Sequence, residues 1–129
     1  MQSRGVRGAI TLDANTKEEV KLATIELLNE MIQKNDIKKE DIAFAIFTTT
    51  NDINADFPAK YARIDCGFNE VPMMCYNELN VENSLKMCLR VLLNINTDKK
   101  QNEIKHIYIV ENEKNYCDPI RINFVIFLS

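Results

Sequence analysis

The sequence predicts an α/β (α+β) protein: a mixed β-sheet packed with one long amphipathic helix and a short helical segment. Three observations carry that expectation. Val20, Ala23, Leu27, Leu28 and Met31 recur at the spacing of a single helix face. The run from Ile42 to Thr50 is apolar and rich in strand formers. Residues 104–110 alternate, with Ile107 and Ile109 on one side and His106 and Tyr108 on the other. The chain has 129 residues, 46% of them hydrophobic and 27% charged, as expected of one globular domain with its own core over residues 1–129.

Each element has a local reason. Residues 4–12 read as a strand, weakened at Gly5 and Gly8 in a way that points to close backbone approach. Asp13 to Asn15 form a turn, and Thr16 followed by Glu19 is a capping-box signature. The long helix that starts there ends near Lys34 to Asp36, with Glu18, Lys21, Glu26 and Lys34 toward solvent. Ile42 to Thr50 then reads as a central strand buried on both faces, broken by Asn51 to Asn54. Phe57-Pro58 opens the short helix, since proline suits a first-turn position. Lys60 and Arg63 share one of its faces. Val71 to Tyr76 is another strand. The stretch from Leu85 to Ile95 fits a helix through Leu85, Cys88, Leu89 and Leu92, and a strand through Leu89, Val91, Leu93 and Ile95.

Charge and cysteine usage narrow the function classes. A formal net charge of −3 gives a nucleic-acid partner no overall electrostatic support. No run is long enough to span a bilayer, and no charged leader with a following apolar stretch opens the chain, so a cytoplasmic protein is expected. Cys66, Cys75, Cys88 and Cys117 form no C-x-x-C pair, and His106 is the single histidine, so no zinc site is expected. The cysteines read as small apolar side chains in a reducing compartment.

The arginines are the unusual feature. There are five against eleven lysines; two punctuate Arg4-Gly5-Val6-Arg7-Gly8-Ala9-Ile10, and Arg90 lies inside an apolar stretch. A buried guanidinium is costly unless paired, and its fork of donors suits carboxylates. Arg90 is therefore either half of a structural ion pair or part of a site for a small multi-anionic ligand. Arg7, Arg90 and Tyr108 are polar groups in strand-like segments, Glu78 follows the Cys75 strand, and Lys60 and Arg63 add charge from the short helix. Such a set suits a compact dicarboxylate bearing a hydroxyl: cations for the carboxylates, Glu78 to accept from the hydroxyl. Duller readings stand beside these. Cys75 reads equally as core, Tyr108 as a half-buried strand tyrosine, and Lys60 with Arg63 as a solvated helix face. Arg4, three positions from Arg7, points to the opposite sheet face and reads as structural.

Over roughly residues 4–110 the chain resembles the small trimeric α/β class of chorismate mutase. The resemblance rests on Arg4-Gly5-Val6-Arg7-Gly8-Ala9, on Asp56-Phe57-Pro58-Ala59-Lys60 with Arg63, and on Met74-Cys75-Tyr76-Asn77-Glu78. It continues through Cys88-Leu89-Arg90-Val91, Asn96-Thr97-Asp98 and Ile104-Lys105-His106-Ile107-Tyr108. It implies a pseudo α/β-barrel homotrimer with its sites between subunits, no metal or cofactor, and the rearrangement of chorismate to prephenate in phenylalanine and tyrosine biosynthesis. Under it, Arg7 clamps a carboxylate and Arg90 stands at the ether oxygen. Glu78 and Cys75 lie near the ring hydroxyl, with Met74, Tyr76 and Asn77 beside them. Tyr108 helps hold a carboxylate, Phe57 forms a wall, and Lys60 and Arg63 stand at the mouth. The resemblance also favours a strand around Arg90.

The chain departs from that pattern in its tail, residues 112–129. Relatives follow the Tyr108 strand with an apolar-Arg-Pro-Asp segment; here Cys117-Asp118-Pro119-Ile120-Arg121 leads into an apolar end, and Arg121 has no secure counterpart. That ending reads as an added strand, a packed lid or an exposed tail. A shifted reading frame would also produce it, which resequencing the source DNA decides. Deleting residues 112–129 is expected to change KM little. Two other classes remain at this point: an imine-deaminase-like trimer, by analogy of fold, and a catalytically impaired homologue that binds a small dicarboxylate.

Overall fold

The computed structural model describes residues 1–109, so the tail at 112–129, with Cys117 and Arg121, lies outside the described residues. Strand β1 spans Gln2–Thr11, helix α1 Lys17–Lys34, β2 Ile42–Thr49, helix α2 Pro58–Cys66, β3 Met73–Asn77, β4 Cys88–Thr97 and β5 Ile107–Ile109. The strands form one mixed sheet in the order β3-β2-β4-β1-β5. β4 is antiparallel to both its neighbours, while β3 and β5 add in parallel to β2 and β1. The ambiguous segment is thus a strand, and the middle one. Its ladder bonds on both edges outweigh the weaker helical periodicity.

Helix α1 begins where the capping signature places it: the Thr16 hydroxyl accepts from the Glu19 N–H at 3.1 Å. Its apolar face, including Val20, Leu27, Leu28 and Met31, is buried against the sheet. The approach is closest at Gly8, where a Cβ would lie 2.5 Å from Met31 Sδ and 3.0 Å from Leu27 Cδ1. The glycine expected to mark close approach does so here; at Gly5 a Cβ would meet only ordinary contact, 3.7 Å from Leu92 Cδ1. At the far end of α1, buried Asn35 donates through Nδ2 to the carbonyls of Met31 and Lys105, and its Oδ1 accepts from the Lys105 N–H at 2.7 Å. That side chain joins the helix end to the segment leading into β5. Helix α2 opens with Pro58 in its first turn and closes at Gly67, whose φ of 74° is the left-handed conformation glycine adopts without penalty.

Strand alternation sorts the sheet into two faces. Val6, Ile10, Phe47, Leu89, Val91 and Leu93 point toward the helices and form the core. Arg7, Phe44, Ile46, Thr48, Arg90 and Leu92 point the other way, as their mutual register requires. The expectation that β2 is buried on both faces is corrected here. Ala45, Phe47 and Thr49 are buried, but Phe44 is exposed and Ile46 and Thr48 are only partly covered. Both helices lie over the same sheet face, so among the described residues no helix covers the other. A bulge between Ile42 and Phe44 keeps Ile42 on the core side.

Two loop residues other than glycine have a left-handed backbone between β3 and β4: Asn83 at φ 64° and Met87 at φ 52°. Asparagine tolerates that region, whereas methionine there costs about 1–3 kcal/mol and persists only where its surroundings hold it. The other exception, Asp36 at φ 51°, follows the end of α1. No helix among the described residues is long and apolar enough to cross a membrane.

Candidate active site

The open sheet face gathers two of the cations that the sequence singles out, Arg7 and Arg90. Registers pair Arg7 with Leu92, Ala9 with Arg90, Thr48 with Arg90, and Ala9 with Tyr108. Arg7, Arg90, Thr48 and Tyr108 are therefore near neighbours on one surface despite a sequence span of a hundred residues. Arg90 is only 8% exposed and forms an ion pair with Glu78, which follows the end of β3. The N–H of Glu78 is held by the Thr49 carbonyl at 3.0 Å, and its second carboxylate oxygen accepts from the Thr48 hydroxyl at 3.1 Å. The arginine in the apolar stretch thus has the acidic partner that burial demands. Its Nε, also buried, has no partner among the described residues.

Electrostatics favour an anion here. Burial lowers the pKa of Arg90, and the charge of Arg7 lowers it further. The guanidinium stays protonated all the same, so two like charges and a single carboxylate meet at the site. The Arg7 guanidinium donates to the Tyr108 hydroxyl at 2.9 Å and 3.3 Å and lies 5.9 Å from the centre of its ring. Arg7 is supported through its backbone too, its N–H donating to His106 Nδ1 at 3.0 Å. Burial and the nearby Arg7 charge hold the His106 pKa below the usual imidazole value, which suits a neutral ring acting as acceptor. Beside the Arg90–Glu78 pair opens a cavity of about 330 Å³, walled also by Thr48, Thr50, Leu79, Val81, Ser84 and Leu85.

The remaining candidates divide by strand parity and by layer. Met74 and Tyr76 project onto the open face, and the Tyr76 hydroxyl lies 3.1 Å from Met74 Sδ. Cys75 and Asn77 alternate to the helix side. The Cys75 thiol packs against the core and burial pushes its pKa up, so on the open face residue 75 offers main chain only. Phe57, Lys60 and Arg63 ride on α2, in the layer behind the sheet, and one chain does not bring them to Arg90. Phe57 is 69% exposed, and Lys60 is bound to Asp56 at 3.1 Å. Arg4, assigned a structural part, donates to the Lys99 carbonyl at 3.0 Å and to Gln2. Cys66 and Cys88 are buried, and burial, with Asp52 nearby, takes the Cys88 thiol up to about 12.

Sequence reasoning passes over Thr48, which braces Glu78, His106, which supports Arg7, and the loop residues that wall the cavity. Only strand parity could have flagged Thr48, and only with the register known. Nothing local marks the others.

Known proteins resemble this chain in sequence and in fold. The family model for chorismate mutase type I matches residues 3–118. The chorismate mutase AroH of Bacillus subtilis is 39% identical over 109 residues, 84% of this chain and 86% of that protein. Its counterpart from Thermus thermophilus is 42% identical over 109 residues, covering 84% and 88%. Among solved structures, a chorismate mutase from Clostridium thermocellum superposes with a TM-score of 0.81 at 42% identity, covering 85% of this chain and 97% of its own. With sequence likeness over most of its length and the same fold, this chain belongs to the chorismate mutase type I family.

Proposed function

We propose that the chain carries out its family's reaction, the isomerisation of chorismate to prephenate for phenylalanine and tyrosine synthesis, in the cavity beside the Arg90–Glu78 pair. The observation that carries this assignment is Arg90 itself: a buried guanidinium held by one carboxylate, with its Nε unpartnered among the described residues. In the rearrangement the ether carbon–oxygen bond breaks as a carbon–carbon bond forms and the double bonds shift, with no proton transferred. No nucleophile or general base is called for, so Glu78 positions and polarises. Arg90 faces the ether oxygen, where negative charge builds, and a preorganised donor of this kind contributes about 3–4 kcal/mol. Arg7, steadied by Tyr108 and His106, takes a carboxylate. Holding the compact conformer supplies several kcal/mol more, on the order of what effective-molarity comparisons give.

A homotrimer completes the site in this reading. Support comes from the apolar sheet face that no described helix covers, with Met74 57% and Leu92 40% exposed, and from the outward placement of Phe57, Lys60 and Arg63 at α2. A neighbouring copy would cover the first and receive the second as wall and mouth of its own cavity. The cytoplasm is the proposed compartment.

Loss of chorismate absorbance on mixing with purified protein, with prephenate identified in the product, tests the reading. Saturable turnover that Arg90→Ala abolishes is expected. Binding without conversion would instead mark a homologue that holds the dicarboxylate but does not rearrange it. Near-normal kcat in Arg90→Ala would remove the role given to that residue. Sedimentation of the same sample reads the trimer, and a monomer with full turnover would sink the shared-site arrangement.

A further inference from the structure

The turn after β2 and the loop between β3 and β4 meet at one carboxylate. Both oxygens of Asp52 accept from the Met87 N–H, at 3.1 Å and 3.0 Å, and one of them also accepts from the Thr50 hydroxyl. Thr50 in turn is tied to the first residue of β4: its hydroxyl accepts from the Cys88 N–H at 3.0 Å and its own N–H donates to the Cys88 carbonyl at 3.1 Å. The Met87 carbonyl accepts from Leu12 N–H at 2.8 Å. Met87 is the residue with the unfavourable φ of 52°. An unbranched side chain gives no reason for that conformation; the hydrogen bonds on either side of it do.

That backbone turn decides where loop 78–87 runs. Glu78 stands at the start of the loop and Arg90 three residues beyond Met87, while Leu79, Val81, Ser84 and Leu85 between them wall the cavity. Were Met87 to relax to negative φ, the loop would leave β4 in another direction and the wall would shift with it.

We propose that Asp52 is a positioning residue for the rearrangement: by clamping Met87 in its left-handed conformation it holds loop 78–87 as the wall of the Arg90–Glu78 cavity. This rests on the assignment of that cavity as the reaction site. Asp52 touches no reacting atom; it acts through the loop. A wall displaced by about an ångström costs orientation more than binding, on the order of a hundredfold in rate at the upper end. The carboxylate clamps held by Arg7 and Tyr108 lie on other strands and are untouched.

The test is a double-mutant cycle in the full chain. Asp52→Ala is expected to lower kcat about 10–100-fold with KM nearly unchanged, and Asp52→Asn, which keeps one accepting oxygen, to fall between it and the parent. Glycine takes positive φ without a clamp, so in a Met87→Gly background the same Asp52→Ala change is expected to cost much less. Amide exchange at Met87 reads the clamp directly and is expected to quicken in Asp52→Ala. If that variant does not fold, Asp52→Asn supplies the cycle. A purely structural role would lower the melting temperature and leave kcat per folded molecule alone; that result, or equal costs of Asp52→Ala in both backgrounds, overturns the inference. An active Arg90→Ala would bring down the cavity assignment and this inference together. An inactive Arg90→Ala beside a fully active Asp52→Ala would bring down this inference alone.

Discussion

The two faces of the sheet follow different rules, although every strand contributes alternate residues to both. On the helix side, Val6, Ile10, Phe47, Leu89, Val91 and Leu93 are buried by α1 and α2, and chemistry is absent. On the other side, Arg7, Thr48, Arg90 and Tyr108 stand among Phe44, Ile46 and Leu92; among the described residues no helix packs over them, and the 78–87 loop shelters Arg90. The core face answers to volume and is complete in one chain. The open face answers to charge and placement, and it keeps apolar residues such as Phe44 and Leu92 exposed. A substitution on the first should therefore register as stability, and one on the second as turnover or assembly.

The largest effect expected from a single change to the core side is at Phe47, which is fully buried. Phe47→Ala should lower unfolding free energy by about 3–5 kcal/mol. If urea melts show a loss near that of an exposed site, the division between the faces fails at its strongest point. Arg90→Ala sharpens the contrast from the other side. Turnover should fall by a factor of roughly 10²–10³ with a much smaller change in melting than Phe47→Ala, and Arg90→Lys should recover only part of the rate because an ammonium cannot reproduce the fork. Equal rates for the Lys and parent enzymes would mean that charge alone matters there.

Gly8→Ala probes the seam where helix and sheet come closest. The new methyl would press on Met31 and Leu27, and overpacking of this kind costs about 1–3 kcal/mol. An unchanged melting temperature would show that Met31 simply turns aside. The smallest effect belongs to α2. Tyr61 O–H, the Phe57 N–H and Lys60 all donate to Asp56 and hold its pKa at about 2, below the ordinary 3.8. The folded state binds its proton less readily than the unfolded chain. The contribution is therefore present above about pH 4 and lost as pH falls through about 2. Tyr61→Phe removes the foremost cause and should flatten the acid limb of stability measured from pH 5 to 2; coincident slopes for the two proteins would sink this account.

Much of this was legible before folding was considered. Thr16 starts α1, Pro58 opens α2, and the alternation around Tyr108 places that residue opposite Ile107 and Ile109, because capping, ring geometry and strand period are local properties. Arg90 was conspicuous because a charge inside an apolar run must find a partner. The reading of β2 as covered on both faces failed among the described residues for an instructive reason: apolar composition marks a strand as sheet-forming but does not say which layers pack on each of its faces. Cys75 was marked together with Glu78, yet parity turns its thiol into the core.

What the sequence determined by itself is therefore the kind and order of the elements other than β4, the core-facing stripe of α1, and the residues whose charge had to be answered. The tertiary structure alone decided that Thr48, Arg90 and Ala9 stand abreast, that Glu78 rather than any other acid answers Arg90, and that Asp52 grips Met87 across 35 residues. The reason is physical. Periodicity and capping act over a few residues, but strand register is settled by hydrogen bonding between segments far apart in the chain. A slip of one residue in β4 would turn Arg90 into the core and Val91 onto the open face.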